Sequence, residues 1–115
     1  MMETISQSIS EVVKTDNTIH AIMEFKATDP IFAGHFPNNA IIPAVYQIGV
    51  CRNIVERFFG GKFSCLQRSR FSAVCRPEIR YAVSVTVTAQ DNKTLATCSI
   101  KLEAAMQSKI VLVYE

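Results

Sequence analysis

The sequence predicts an α+β fold: a curved antiparallel sheet wrapped around one long central helix, with residues 1–115 forming a single domain. Three observations carry this. Apolar residues follow a period of two on both sides of the chain's middle, and a period near 3.6 over one stretch only, Pro43 to Phe59. Short polar triplets separate the period-two stretches, which suits antiparallel neighbours and leaves no room for crossovers. No repeat, low-complexity segment or linker divides the 115 residues, and a chain of that length buries one core without staples.

Each element has a local reason. "SISEVVK" and "TIHAIMEFKA" flank the turn-forming triplet "TDN", so a first hairpin is expected. In the second run Ile19, Ala21, Met23 and Phe25 alternate with His20, Ile22, Glu24 and Lys26, as in a half-buried strand. Asp29 before Pro30 reads as a turn or cap. From Pro43 the spacing changes: Val45, Ile48, Cys51, Ile54, Val55, Phe58 and Phe59 recur at three and four residues. Pro43 suits the first turn of a helix and Gly60–Gly61 its exit. Pro43 to Phe59 is therefore one helix, roughly 25 Å long at 1.5 Å per residue. "KFSCLQRSRFSAVC" and the β-branched "YAVSVTVTAQ" follow as strands. "DNK" turns, "TLATCSIKLEAAM" runs back, "QSK" turns again and "IVLVYE" closes the sheet. A helix this apolar must cover one face of that sheet.

Composition narrows the function. Apolar residues make up 49% and charged ones 19%, and the net charge of +2 is too small to suggest a nucleic-acid partner. Cys51, Cys65, Cys75 and Cys98 form no C-x-x-C pair, and with His20 and His35 they make no recognisable zinc site; buried free thiols in a reducing compartment are expected. The N-terminus lacks the basic start and apolar block of a signal peptide, and no apolar run spans a bilayer, so a cytoplasmic protein with no membrane association is expected.

The chemistry concentrates in "AGHFPNNAIIPAVYQIG", Ala33 to Gly49. An imidazole stands there between a glycine and an aromatic residue, just ahead of a proline-led apolar helix. The stretch resembles the signature G-H-F-P-G-x-P-V-x-P-G-V-x-x-x-E of the β-hydroxyacyl-acyl-carrier-protein dehydratases, which have the hot-dog fold. Gly34, His35, Phe36, Pro37, Pro43 and Val45 match it, whereas Asn38, Ala40 and Ala44 depart from it. Downstream, "SRFSAVCRPE" is similar to the family's K-F-x-x-x-V-x-P-G-D segment, with Arg70, Phe71, Val74 and Pro77 in correspondence and Glu78 near the Gly-Asp pair.

The resemblance implies a base, an acid and an oxyanion site. His35 is the candidate base; an imidazole with an ordinary pKa of about 6.5 is largely neutral at physiological pH. The amide of Ala44 at the helix start is the candidate donor to an enolate oxygen, helped by the helix dipole. Gly34, Phe36, Ile41, Ile42, Val45 and Ile48 would line the acyl slot. The family's acid should lie fourteen positions after the histidine, and that position is Gly49. The nearest carboxylate, Glu56, is roughly 10 Å further along the helix. Gly49 reads either as a packing glycine or as room for a bulkier acyl group. Asn53 stands where the family often carries a glutamine. His20 reads as a surface residue of its strand.

Family histidines meet the helix acid of a second subunit, so a homodimer, or a heterodimer with a related acid-bearing chain, is implied. The resemblance also implies an acidic acyl carrier protein as partner. Lys62, Arg68, Arg70, Arg76 and Arg80 lie within nineteen residues, and on one face they would steer such a carrier; on separate faces they are ordinary edge-protecting charges. Dehydration of a carrier-bound β-hydroxyacyl thioester, without cofactor or metal, is the expected activity. The alternatives are a non-catalytic subunit that binds acyl chains or completes a heteromer and, less well supported, a thioesterase, which would also want a carboxylate near the helix start.

Overall fold

The structure is a computed structural model and describes residues 2–33 and 40–115. Its order is α1 (Met2–Gln7), β1 (Ile9–Thr15), β2 (Thr18–Met23), a 3₁₀ turn (Pro30–Phe32), α2 (Ala44–Phe58), β3 (Phe63–Phe71), β4 (Tyr81–Gln90), β5 (Lys93–Leu102) and β6 (Ala105–Tyr114). The strands form one antiparallel sheet in the order β1-β2-β4-β5-β6-β3. The hairpin turns use residues that tolerate positive φ. Asp16 (51°) serves β1–β2, and Asp91 (49°) with Asn92 (66°) serves β4–β5.

The core lies between α2 and the inward face of the sheet. Val50, Cys51, Ile54 and Val55 meet Val83, Val85, Cys98, Ile100, Ile110 and Leu112, all buried. Burial of each such aliphatic side chain is worth about 1.5–3 kcal/mol. Ile19, Ala21, Met23 and Phe25 are buried as the alternation predicts, with His20 exposed between them.

Four expectations need correction. Pro43 is the N-cap of α2 (φ −60°, ψ 150°) rather than a first-turn residue, and the helix ends at Phe58 before Gly60 (φ 71°). The buried stripe runs Gln47-Val50-Cys51-Ile54-Val55, so Val45 is not part of it and stands 55% exposed. "QSK" is no turn: the chain reverses at Glu103–Ala104, with Glu103 at φ 57°, and Gln107, Ser108 and Lys109 belong to β6. Cys65 is exposed on β3, whereas the other three thiols are buried. The short helix α1, absent from the periodicity, packs across α2 through Ile5.

One edge of the sheet is unfinished. Every residue of β3 from Ser64 to Phe71 is exposed, although β6 pairs with it throughout. Leu66 opposite Leu112 and Phe71 opposite Ser108 share the helix-side face, yet each is 39% exposed. One helix is too narrow to cover six strands.

Candidate functional site

At the first turn of α2 lies an apolar groove of about 320 Å³. Ile41, Ile42, Pro43, Ala44 and Gln47 form one wall and Phe71, Ser72, Ala73 and Val74 the other. Pro43 offers no side-chain cap and no N–H. The first N–H groups of a helix have no intrahelical acceptor, and Ala44, the first residue of α2, brings one such amide to the groove.

A polar network that sequence patterning missed holds the walls in place. Gln47, 3% exposed, donates from Nε2 to the carbonyl of Ile42 at 3.0 Å and accepts a hydrogen bond from Ser108 Oγ. The Ile42 N–H donates to the Cys75 carbonyl at 2.7 Å. Gln107 receives the amides of Ser72 and Ala73 at its backbone carbonyl, at 2.8 and 3.1 Å, and its side chain donates to the Val74 carbonyl at 2.8 Å. The signal for Gln47 was present: it continues the 50-51-54-55 stripe one turn towards the N-terminus, and a polar residue there needs a buried partner. Ser108 and Gln107 gave none, because Q-S-K resembles a turn.

Cys75 is next to this network. Burial pushes its thiol up to about 11, against a smaller opposite effect of the hydrogen bond with Ser108. It is a packing thiol, since the thiolate is the nucleophile. The Cys51 thiol is likewise raised, by its hydrogen bond with Cys98 and by burial.

Gly34, His35 and Phe36 lie outside the described residues. Ala44 and Ile42 stand at the groove, whereas Val45 is exposed and does not line it. Gly49 faces α1: a Cβ placed on it would overlap Cδ1 of Ile5, with Cγ1 at 3.5 Å. Asn53, one turn on, has a buried Oδ1 with no hydrogen-bond partner among the described residues. Glu56 is engaged elsewhere, accepting from Arg52 Nε at 2.8 Å and from Tyr114 Oη at 2.7 Å. Burial raises its pKa, but the bonds from Arg52 and Tyr114 outweigh this and hold it below the ordinary 4.5. Tyr114 is raised in turn, by burial and by Glu56. Tyr46 packs edge-on against Phe25, ring centroids 6.3 Å apart.

The basic residues do not form one cluster. Arg68 and Arg70 lie on β3 opposite Val111 and Lys109, and so share the sheet face turned away from the helix with Lys109. Arg80, just before β4, pairs with Glu11 and, at 3.8 Å, with Glu24. It is three strands away, roughly 14 Å at ordinary strand spacing. Arg76 donates to the Ala40 carbonyl at 3.4 Å, on the groove side. Glu78 accepts the Ala27 N–H at 2.6 Å and takes a left-handed φ of 64°, fastening two loops together. His20 shares a 3.0 Å hydrogen bond with Ser84 on the outer face of the sheet, away from the groove.

Known proteins fit this geometry. The chain superposes on the dehydratase heterocomplex ApeI:P from Xenorhabdus doucetiae with a TM-score of 0.76 at 14% identity, covering 93% of this chain and 96% of that one. Zebrafish thioesterase superfamily member 2 follows at 0.70 and 9% identity, covering 96% and 82%. These likenesses show the hot-dog fold. A 3-hydroxyacyl-acyl-carrier-protein dehydratase FabZ from Dichelobacter nodosus is 48% identical over 36 residues, 31% of this chain and 24% of the relative. The FabZ of Thermoanaerobacter is 32% identical over 75 residues, 57% of this chain and 53% of its own length. The chain thus spans about half the length of that relative, and less of the first. The sequence model of the ApeI-like group, described as ApeI dehydratase, matches residues 11–109. That match takes in the histidine motif, all of α2 and most of the sheet, and by it the chain belongs to the ApeI-like family of hot-dog dehydratases.

Proposed function

We propose that this chain dehydrates a β-hydroxyacyl thioester presented by an acyl carrier protein, and that its acid comes from a second hot-dog chain. His35 takes a proton from C2. The enolate oxygen of the thioester accepts a hydrogen bond from the Ala44 amide. The C3 hydroxyl leaves as water with a proton from the partner's acid, giving the trans-2-enoyl thioester. The observation that carries the reading is the apolar groove at the first turn of α2, whose lining begins at Ile41, six residues along the chain from His35. An apolar slot with few polar groups is the ordinary form of a small-molecule site. Proton transfer by a positioned side chain contributes about 10²–10⁴-fold, which sets the scale of what His35 supplies.

The source of the acid follows from α2. Position 49 carries no side chain, and Glu56, its only carboxylate, is held by Arg52 and Tyr114. The exposed β3 edge and the uncovered Leu66 and Phe71 suit a partner of the same fold. The ApeI:P neighbour, a dehydratase heterocomplex, supports a non-identical one. Arg68, Arg70 and Lys109 form the surface on which an acidic carrier would dock.

A non-catalytic, heteromer-completing subunit is the second reading, favoured by Gly49 itself. The deciding experiment follows the enoyl product from a β-hydroxyacyl carrier thioester, using this chain alone and mixed with an acid-bearing dehydratase homologue. Turnover that falls about 10²–10⁴-fold in His35→Ala supports catalysis here. Equal turnover by wild type and His35→Ala assigns the chemistry to the partner.

A further inference from the structure

The Gln47 network borders the amide at the start of α2, and its part in the reaction rests on the role proposed above for Ala44. We infer that Gln47 is a positioning residue for that amide: held by Ser108, its side chain occupies the Ile42 carbonyl, the acceptor that would otherwise take the Ala44 N–H. Pro43 stands between the two. In a trans peptide the carbonyl and the N–H point in opposite directions. The Pro43 carbonyl accepts from the Tyr46 N–H at 3.0 Å and from the Gln47 N–H at 3.3 Å, so it is turned into the helix. The Ala44 N–H of the same peptide is therefore turned out of the helix end. No group among the described residues accepts it, and Ala44 is exposed at the groove.

The proline ring fixes φ, here −60°, so ψ of Pro43 decides where this N–H goes. At the observed ψ of 150° it is open to a ligand. Near a ψ of about 65° it would close an inverse γ-turn onto the Ile42 carbonyl, two residues back. Ile42 is 2% exposed, and a carbonyl buried there needs a partner. Gln47 Nε2 supplies it at 3.0 Å, and Ser108 Oγ, donating to Gln47 Oε1, fixes the side-chain amide from β6. The Ile42 N–H is taken by the Cys75 carbonyl at 2.7 Å, so the residue is clamped from both sides. Without the Gln47 donor, a buried carbonyl is left unsatisfied beside an open N–H. The γ-turn then satisfies both, and the amide is lost to substrate.

The test compares wild type, Gln47→Leu and Ser108→Ala, each checked for folding by circular dichroism. Water-exchange NMR reads the Ala44 amide without any turnover. The amide exchanges freely in wild type and about tenfold more slowly in Gln47→Leu, as one net hydrogen bond predicts, with Ser108→Ala between them. The same rate in all three overturns the inference. The second arm follows dehydration of a β-hydroxyoctanoyl N-acetylcysteamine thioester with the acid-bearing homologue present. In Gln47→Leu kcat falls towards the roughly 10²–10³-fold loss of an oxyanion donor, while KM holds, because the interaction is felt only in the transition state. A merely structural Gln47 lowers activity only in proportion to the folded fraction, and that result, or a rise in KM alone, overturns the inference. Should Gln47→Leu fail to fold, Ser108→Ala carries both arms. A silent wild type rejects the dehydratase reading and leaves the exchange rates to decide what holds the amide open.

Discussion

Glu56 is the carboxylate that a search for a missing acid reaches first, and its surroundings give it another task. Two donors fix it, one from the preceding helical turn and one from the last residue of β6. Its folded pKa is depressed, so its contribution to stability is complete above the ordinary value of 4.5 and is lost as pH falls through the lower folded value. Glu56→Gln should therefore lower stability at neutral pH by about 1 kcal/mol, a modest amount because the pair is partly exposed. The gap to wild type should close as urea titrations move from pH 6 to about pH 3. The buried pair Gln47–Ser108 gives a sharper test. Ser108→Ala strands a buried Gln47 oxygen and should cost about 1–3 kcal/mol. Gln47→Leu/Ser108→Ala removes both partners, and in the unfolding cycle it should cost less than the sum of the two single changes.

The strand β3 is the part of the fold most at odds with an isolated chain. Its register with β6 shifts between Phe63 and Cys65 and again between Leu66 and Arg68, and bulges of that kind increase local twist. Among the described residues its outer edge has no strand beside it, and Ile41, Val45, Leu66, Phe71 and Val74 stand 39–55% exposed. Leu66→Lys/Phe71→Glu should abolish the pairing proposed for this edge and leave a monomer in light scattering, with circular dichroism unchanged; a dimer that survives places the interface elsewhere. The sequence reading found β3, β4 and the long helix because each carries its own period. It misplaced the β5–β6 turn because polarity stood in for geometry: Gln107 and Ser108 are polar residues with buried partners, whereas the reversal needs only Glu103 to enter the left-handed region.

Charge acts over the molecular surface, and here its placement matters more than its sum. A net charge of +2 is small, but Arg68, Arg70 and Lys109 stand together on the outer face beside the free edge. Opposed potentials steer association, and steering weakens with salt. Arg68→Glu/Arg70→Glu should raise KM for a carrier-borne substrate by about tenfold at low salt while leaving turnover of a small soluble thioester unchanged. An equal effect on both substrates would move the docking surface elsewhere.

The pattern of residues was enough to give the α+β class, the single helix, most strand limits and a motif that resembled the dehydratases, because period, turn chemistry and helix punctuation are local properties written along the chain. Folding settled what depends on segments distant in sequence: that Ile5 lies on Gly49, that Gln47 meets Ser108 across 61 positions, and that Arg80 stands apart from Arg68 and Arg70. The strands that bring such groups together are ordered by packing, and a linear pattern records which face a side chain takes without recording what stands opposite it.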